Sequence, residues 1–299
     1  MAGAFLFLRN RIVSNFLPFK TPPILILSYP RSGSSWIGKV LSTSPSAAYL
    51  REPITQPYMF KYGGKHALVD INQDLFASSI YRKLSDEAFF GIPSRHTNVV
   101  NSLRDFLYPQ RKNKRILIKE VNPKAIGFYC NIYKPKVLFL LRHPAAIALS
   151  FYRLGWLESP DVQMETDNPA ATAWEKFGFA YGKVMNNAIE FLKVYGNHKI
   201  VIYKTIAETP HVGFKELFQA LDLEIPQTYD DVIKKYCYSS KEIKERGEIE
   251  RTSRNMIFKW HDKLTVQQIS ELRVGLLKSQ LEYYRGEKDW APEDGGSYS

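Results

Sequence analysis

Residues 28–36, SYPRSGSSW, concentrate more phosphate-binding chemistry than any other stretch of this 299-residue chain. The unbroken apolar run ILILS at 24–28 predicts a buried strand, and Pro30 stiffens its exit. Gly33 allows a tight turn, after which WIGKVLSTS carries apolar residues at helical spacing. Backbone N–H groups at that helix start, the hydroxyls of Ser34 and Ser35, and the Arg31 cation would cradle a dianionic group. Residues 33–40, GSSWIGKV, nearly spell a Walker A loop. However, Val40 has no hydroxyl for magnesium, and Gly38-Lys39 falls inside the expected helix rather than at its start.

The elements that must hold such a cradle follow from further apolar runs. Strands are predicted at 115–119 (RILIK), 136–141 (KVLFLL) and 199–203 (KIVIY), with helical patterns near 71–84, 123–132, 145–152 and 171–195. Buried strands alternating with helices predict an α/β fold, a P-loop-like three-layer sandwich whose central, mostly parallel sheet is flanked by helices. Residues 1–22 read as an N-terminal extension, 23–290 as one domain and 291–299 as a disordered tail. The segment 154–169 reads as a long surface loop suited to a lid, and the basic run 109–115 as a solvated turn.

Charge narrows the partners. Forty-one basic against 30 acidic residues give +11, which favours an anionic ligand. The basic residues are dispersed and no recognised motif organises them, so nucleic acid is not expected. Two distant cysteines, Cys130 and Cys237, argue against a disulfide framework or structural zinc, and the six histidines lack paired ligand spacing. The first apolar run, broken by Arg9, Asn10 and Arg11, is too short to span a bilayer, although it could make peripheral membrane contact. The expectation is a cytoplasmic protein; nothing in the sequence sets its oligomeric state.

The motif YPRSGSSW resembles the 5′-phosphosulfate loop of sulfotransferases that use 3′-phosphoadenosine-5′-phosphosulfate (PAPS); carbohydrate and protein-tyrosine members share its Pro-Arg-Ser-Gly. The resemblance implies that Arg31 and the backbone and hydroxyls of Ser32, Gly33, Ser34 and Ser35 hold the 5′-phosphosulfate, and that Trp36 stacks on adenine. VLFLLRHPAAIALSFYR is similar to the family's 3′-phosphate motif, which implies that Arg142 and Ser150 grip that phosphate; His143 reads as incidental. KIVIYKTIAETP resembles the strand that brings Tyr203 toward the adenine, with Lys204 where the family carries an acidic residue. RTSRNMIFKWHDKLT resembles the loop over the 3′-phosphate, making Arg251, Ser253 and Arg254 candidates and Trp260, Leu264 and Thr265 its anchor.

The resemblance implies PAPS as donor co-substrate, no metal, and an in-line displacement driven by positioning and electrostatics. Arg31, with Lys119 at the end of the second predicted strand, would meet the charge growing on the leaving oxygen. YLREPI, like the Glu-Pro of carbohydrate and tyrosylprotein sulfotransferases, nominates Glu52 as general base, with Glu120 as runner-up. The Glu52 pattern tilts the acceptor toward a sugar or a peptide tyrosine, with a small alcohol or an amine still open. A small-molecule kinase with a P-loop and a non-catalytic binder of anionic glycans or lipids are the competing readings.

Overall fold

Both faces of the sheet are covered, which is why its strands read as unbroken apolar runs. The computed structural model describes residues 18–71, 75–92, 100–159, 168–238 and 256–291. β1 (Lys20–Ser28) starts four residues before the apolar run and buries its last five. It pairs in parallel with β3 (Arg115–Glu120) on one side and β4 (Lys136–Leu141) on the other. Outside these lie β2 (Ala47–Arg51) and β5 (His198–Ile202), giving the order β2-β3-β1-β4-β5 with every pairing parallel. The short edge strand β2 was not expected from the sequence. Along β1 the pleat sends Leu25 and Leu27 into one core and Ile24 and Ile26 into the other.

Helices complete the two outer layers. Against the first core pack α3 (Leu75–Phe89), α4 (Ile126–Tyr133), α5 (Pro144–Arg153), α6 (Ala173–Tyr195) and α10 (Val266–Lys278). Against the second pack α1 (Ser34–Leu41), α7 (Tyr203–Glu208), α8 (Pro210–Ala220) and α9 (Tyr229–Ile233). Two further helices, α2 (Thr55–Lys61) and α11 (Glu287–Trp290), add Tyr58 and Trp290 to the first core. α6 and α10 approach so closely that a side chain at Gly178 or Gly275 would strike the other helix's backbone. Thr265, part of the expected anchor, begins α10 through a capping box with Gln268, and Trp260 and Leu264 are buried just before it.

Three expectations need correction. The run 109–115 is a solvated turn only in part: Pro109, Gln110, Lys112 and Asn113 are exposed, but Arg111 is buried, donates to the carbonyls of Phe90, Gly91 and Phe106, and lies 4.3 Å from the Phe19 ring centroid. Most of these partners are distant in sequence, so no local pattern could reveal them. Tyr203 opens α7 instead of closing the fourth expected strand. His143 is not incidental, since its Nδ1 accepts from the Ala145 amide at the start of α5 and its ring stacks 4.5 Å from that of Trp260. Burial holds its imidazole far down, at about 3. Arg251, Ser253 and Arg254, part of the 154–169 loop (160–167), most of the N-terminal extension (1–17) and the tail from 292 lie outside the described residues. Among the described residues no helix is long and apolar enough to cross a membrane.

Candidate active site

The carboxyl ends of the strands carry the candidate residues. α1 leaves β1 toward one face and α5 leaves β4 toward the other, so a crevice opens between the starts of the two helices. At its floor the chain turns with Arg31 at φ 69° and Gly33 at φ 91°. Gly33 is required twice over: its left-handed backbone disfavours a side chain, and a Cβ there would sit 2.6 Å from the Tyr203 ring. The first-turn amides of α1, Ser34 and Ser35 among them, have no preceding helical carbonyl to meet, and both residues line the main cavity. The Ser28 hydroxyl donates to that of Ser34, 2.8 Å away, and ties the strand end to the helix start. Ser32 is fully buried beneath this turn.

The two expected phosphate grips meet on one wall. Arg142 Nη1 donates to the Arg31 carbonyl at 3.1 Å and Nη2 to the Met256 carbonyl at 3.2 Å. Arg31 Nε in turn donates to Ser150 Oγ at 2.8 Å. The Arg142 guanidinium rests on the Tyr203 ring, 4.4 Å from its centroid, and the Arg142 carbonyl accepts from Tyr181 Oη at 2.7 Å. Trp36 lies deeper than an exposed stacking residue would: it is 5% exposed, packs on Tyr203 and Phe214, and donates through Nε1 to the Tyr236 carbonyl. Gly38 lies against Tyr49 within the helix, so Gly38-Lys39 does not form a phosphate loop.

Strand register supplies the third group. Arg51 of β2 lies opposite Lys119 of β3, so Glu52, the next residue, meets the Lys119 ammonium in an ion pair. Glu52 has φ 50°, a left-handed conformation held by its N–H bond to the Lys119 carbonyl, 2.7 Å. Burial works to raise the Glu52 pKa, but the charge and hydrogen bond of Lys119, with Arg51 and Arg31 nearby, hold its carboxyl below the usual range. Glu120 is different. Fully buried, it accepts from the Ile54 amide at 2.7 Å and the Thr55 hydroxyl at 2.6 Å, fixing the start of α2. Burial, reinforced by the Glu52 charge, pushes its carboxyl up to about 7. It anchors backbone and is shut off from the crevice, whereas Glu52 faces it.

A cavity of about 520 Å³ unites these groups: Arg31, Gly33, Ser34, Ser35, Glu52, Lys119, Arg142 and Ser150 all line it. A second cavity of about 390 Å³ shares Arg142 and Trp260 with the first and is further lined by Tyr203, Lys204 and Phe258. Sequence reasoning missed Lys259, which lines the main cavity beside Trp260. It sits in the basic segment before Trp260, whose register the sequence does not fix. Among the described residues, no three His, Cys, Asp or Glu side chains gather as a metal centre requires.

Two solved structures share this architecture at low identity. A sulfotransferase domain from the Synechococcus PCC 7002 olefin synthase is 18% identical, with a TM-score of 0.51 over 87% of this chain and 95% of that one. The sulfotransferase domain from the curacin biosynthetic pathway is 15% identical, with a TM-score of 0.50 over 87% of this chain and 98% of that one. These likenesses bear on the fold, which is P-loop-like. No curated protein sequence matches the chain. The sulfotransferase domain family matches residues 21–278, spanning the phosphate loop, both edge strands and α10, and the chain therefore belongs to that family.

Proposed function

We propose that this PAPS-dependent sulfotransferase delivers the sulfuryl group to an acceptor hydroxyl by in-line displacement, with Glu52 as general base. The observation that carries the reading is the single cavity lined by Arg31, Arg142, Lys119 and Glu52 together. A nucleotide with phosphates at both ends fits this donor set. The Gly33 turn and α1 amides offer one anion cradle, and Arg142, bonded to the Arg31 carbonyl at 3.1 Å, offers a second cation beside it. Arg142 is also planar and stacked on Tyr203, which pre-orients its fork.

Bound donor supplies an activated sulfur: the bond from sulfur to the bridging phosphate oxygen breaks as the bond from acceptor oxygen to sulfur forms. Arg31 and Lys119 are placed to meet the negative charge that grows on the departing phosphate. Glu52 takes the acceptor proton, leaving a sulfated product and adenosine 3′,5′-bisphosphate (PAP). In the free site Lys119 holds Glu52 as an ionised carboxylate, the form a base needs. As the leaving oxygen claims Lys119, the carboxylate loses its strongest partner and its proton affinity rises.

The test separates chemistry from binding. Glu52→Gln keeps an acceptor for Lys119, so it should lower kcat by about 10²–10⁴ while calorimetry finds PAP affinity nearly unchanged. Equal loss of turnover and PAP affinity would assign Glu52 a structural role instead.

A further inference from the structure

The lining of the main cavity divides by chemistry. Cations and hydroxyls come from the β1 turn, β3, Arg142, Lys259 and the Ser150 and Arg153 side chains of α5, whereas Met59, Phe60, Val121, Leu149, Leu154 and Trp156 supply apolar wall. They issue from α2, the segment after β3, and the last turn of α5 with its exit. The wall adjoins Glu52 because α2 begins three residues after it.

Trp156 is the fixed point of this wall. Gly155, at φ 69°, turns the chain so that the Trp156 amide donates back to the Phe151 carbonyl at 2.9 Å. The indole meets the Phe151 ring edge-on at 5.7 Å, and Phe151 is packed on Phe177 and Tyr29 in the core. The indole is thus braced by the core yet 46% exposed, and Phe60 is 84% exposed among the described residues. Burial in the protein's own core accounts for neither exposure.

Among the described residues, polar groups on this side are few. The Thr55 hydroxyl is committed to Glu120 at 2.6 Å and the Ser150 hydroxyl to Arg31 at 2.8 Å, leaving Gln56, Arg153 and Lys259. A sugar ring brings hydroxyls around its whole edge, and each one buried without a partner opposes binding. A hydroxyl on a flat or flexible hydrocarbon body needs only one polar contact, at the reacting oxygen, and gains by covering apolar wall.

We infer that the acceptor is a hydrophobic alcohol or phenol, held by the apolar wall with Trp156 as its specificity-determining residue. This rests on the sulfotransferase reading above. The experiment uses the full chain with labelled PAPS and four acceptors: 2-naphthol, 1-decanol, a heparan-type disaccharide and a tyrosine peptide. PAP binding is measured separately by calorimetry.

At least one of the two apolar acceptors should exceed the disaccharide and the peptide in kcat/KM by about 100-fold or more. Trp156→Ala should raise the KM for that acceptor about 10–100-fold, and Trp156→Phe should recover most of it, with PAP affinity unchanged in both. Failure to bind PAP removes the sulfotransferase reading itself. A chain that binds PAP but prefers the disaccharide or peptide, or turns over neither apolar acceptor, overturns the inference and leaves that reading standing. So does Trp156→Ala with unaltered KM.

Discussion

Gly33→Ala tests whether the phosphate turn and the Tyr203–Arg142 stack act as one unit. An alanine at φ 91° suffers backbone strain of about 1–2 kcal/mol. Its Cβ would lie 2.6 Å from Tyr203 Cε2, whereas carbon atoms rest at about 3.5–4.0 Å, so the ring must retreat by about 1 Å. Overpacking of that kind costs about 1–3 kcal/mol more. The total is about 2–5 kcal/mol, measurable by urea unfolding. Because Arg142 lies on that ring, 4.4 Å from its centroid, the same retreat should weaken PAP binding and depress turnover by up to about 100-fold.

Two controls isolate the parts. Gly155 has φ 69° and open space where a methyl group would stand, with nothing within 4 Å, so Gly155→Ala should cost only the backbone share, about 1–2 kcal/mol. In a Tyr203→Ala background the clash is absent, and Gly33→Ala should fall to that same cost, a coupling of about 1–3 kcal/mol in the cycle. A coupling within about 0.5 kcal/mol of zero, or unchanged PAP affinity in Gly33→Ala, would refute the idea that the turn and stack are mechanically joined.

Further outcomes follow from the same geometry. Arg142→Ala should weaken PAP about 10–100-fold by calorimetry, the loss of charge-assisted hydrogen bonds, and affect kcat at saturating donor far less. Lys119→Met removes the cation that lowers the Glu52 pKa and leaves the burial that raises it. The acid limb of kcat/KM should therefore move to higher pH, and an unmoved limb would contradict the pairing. Glu120 has the opposite sign: its folded pKa, about 7, stands above an ordinary 4.5. Its stabilising share is thus complete below about 4.5 and disappears as pH rises through about 7, and Glu120→Gln should flatten that part of the Tm-against-pH curve.

Much of the donor side was legible because it is local. A strand, a turn with Gly33 and a helix start are contiguous, and Arg142 and Ser150 are joined by the one short helix that follows β4. Glu52 was legible only through its Pro neighbour and the family resemblance; its geometry depends on the register of β2 with β3, which no sequence pattern states. β2 itself escaped notice because AAYLR is five residues long, includes two alanines and closes one edge. Arg111 reads as part of a solvated turn and His143 as incidental because their partners, Phe19 and Trp260, lie about 90 and 117 positions away in sequence. The enclosure of Glu120 by the Ile54 and Thr55 donors, which leaves Glu52 as the carboxylate that lines the cavity, has no sequence signal.

Among the described residues, six that are not glycine have positive φ. Lys134, Asp222 and Gln280 occupy the ends of α4, α8 and α10, where a left-handed residue is the usual way to stop a helix. Arg31 and Glu52 end no helix; their twisted backbones carry side chains that line the main cavity. Anyone engineering a hardier enzyme would find glycine or asparagine attractive at these two positions, since relaxing the twist should raise the melting temperature. On the mechanism proposed above, each such gain would discard the cation or carboxylate that the reaction needs, so selection for thermal robustness alone would steer this scaffold toward a stable but inert nucleotide binder.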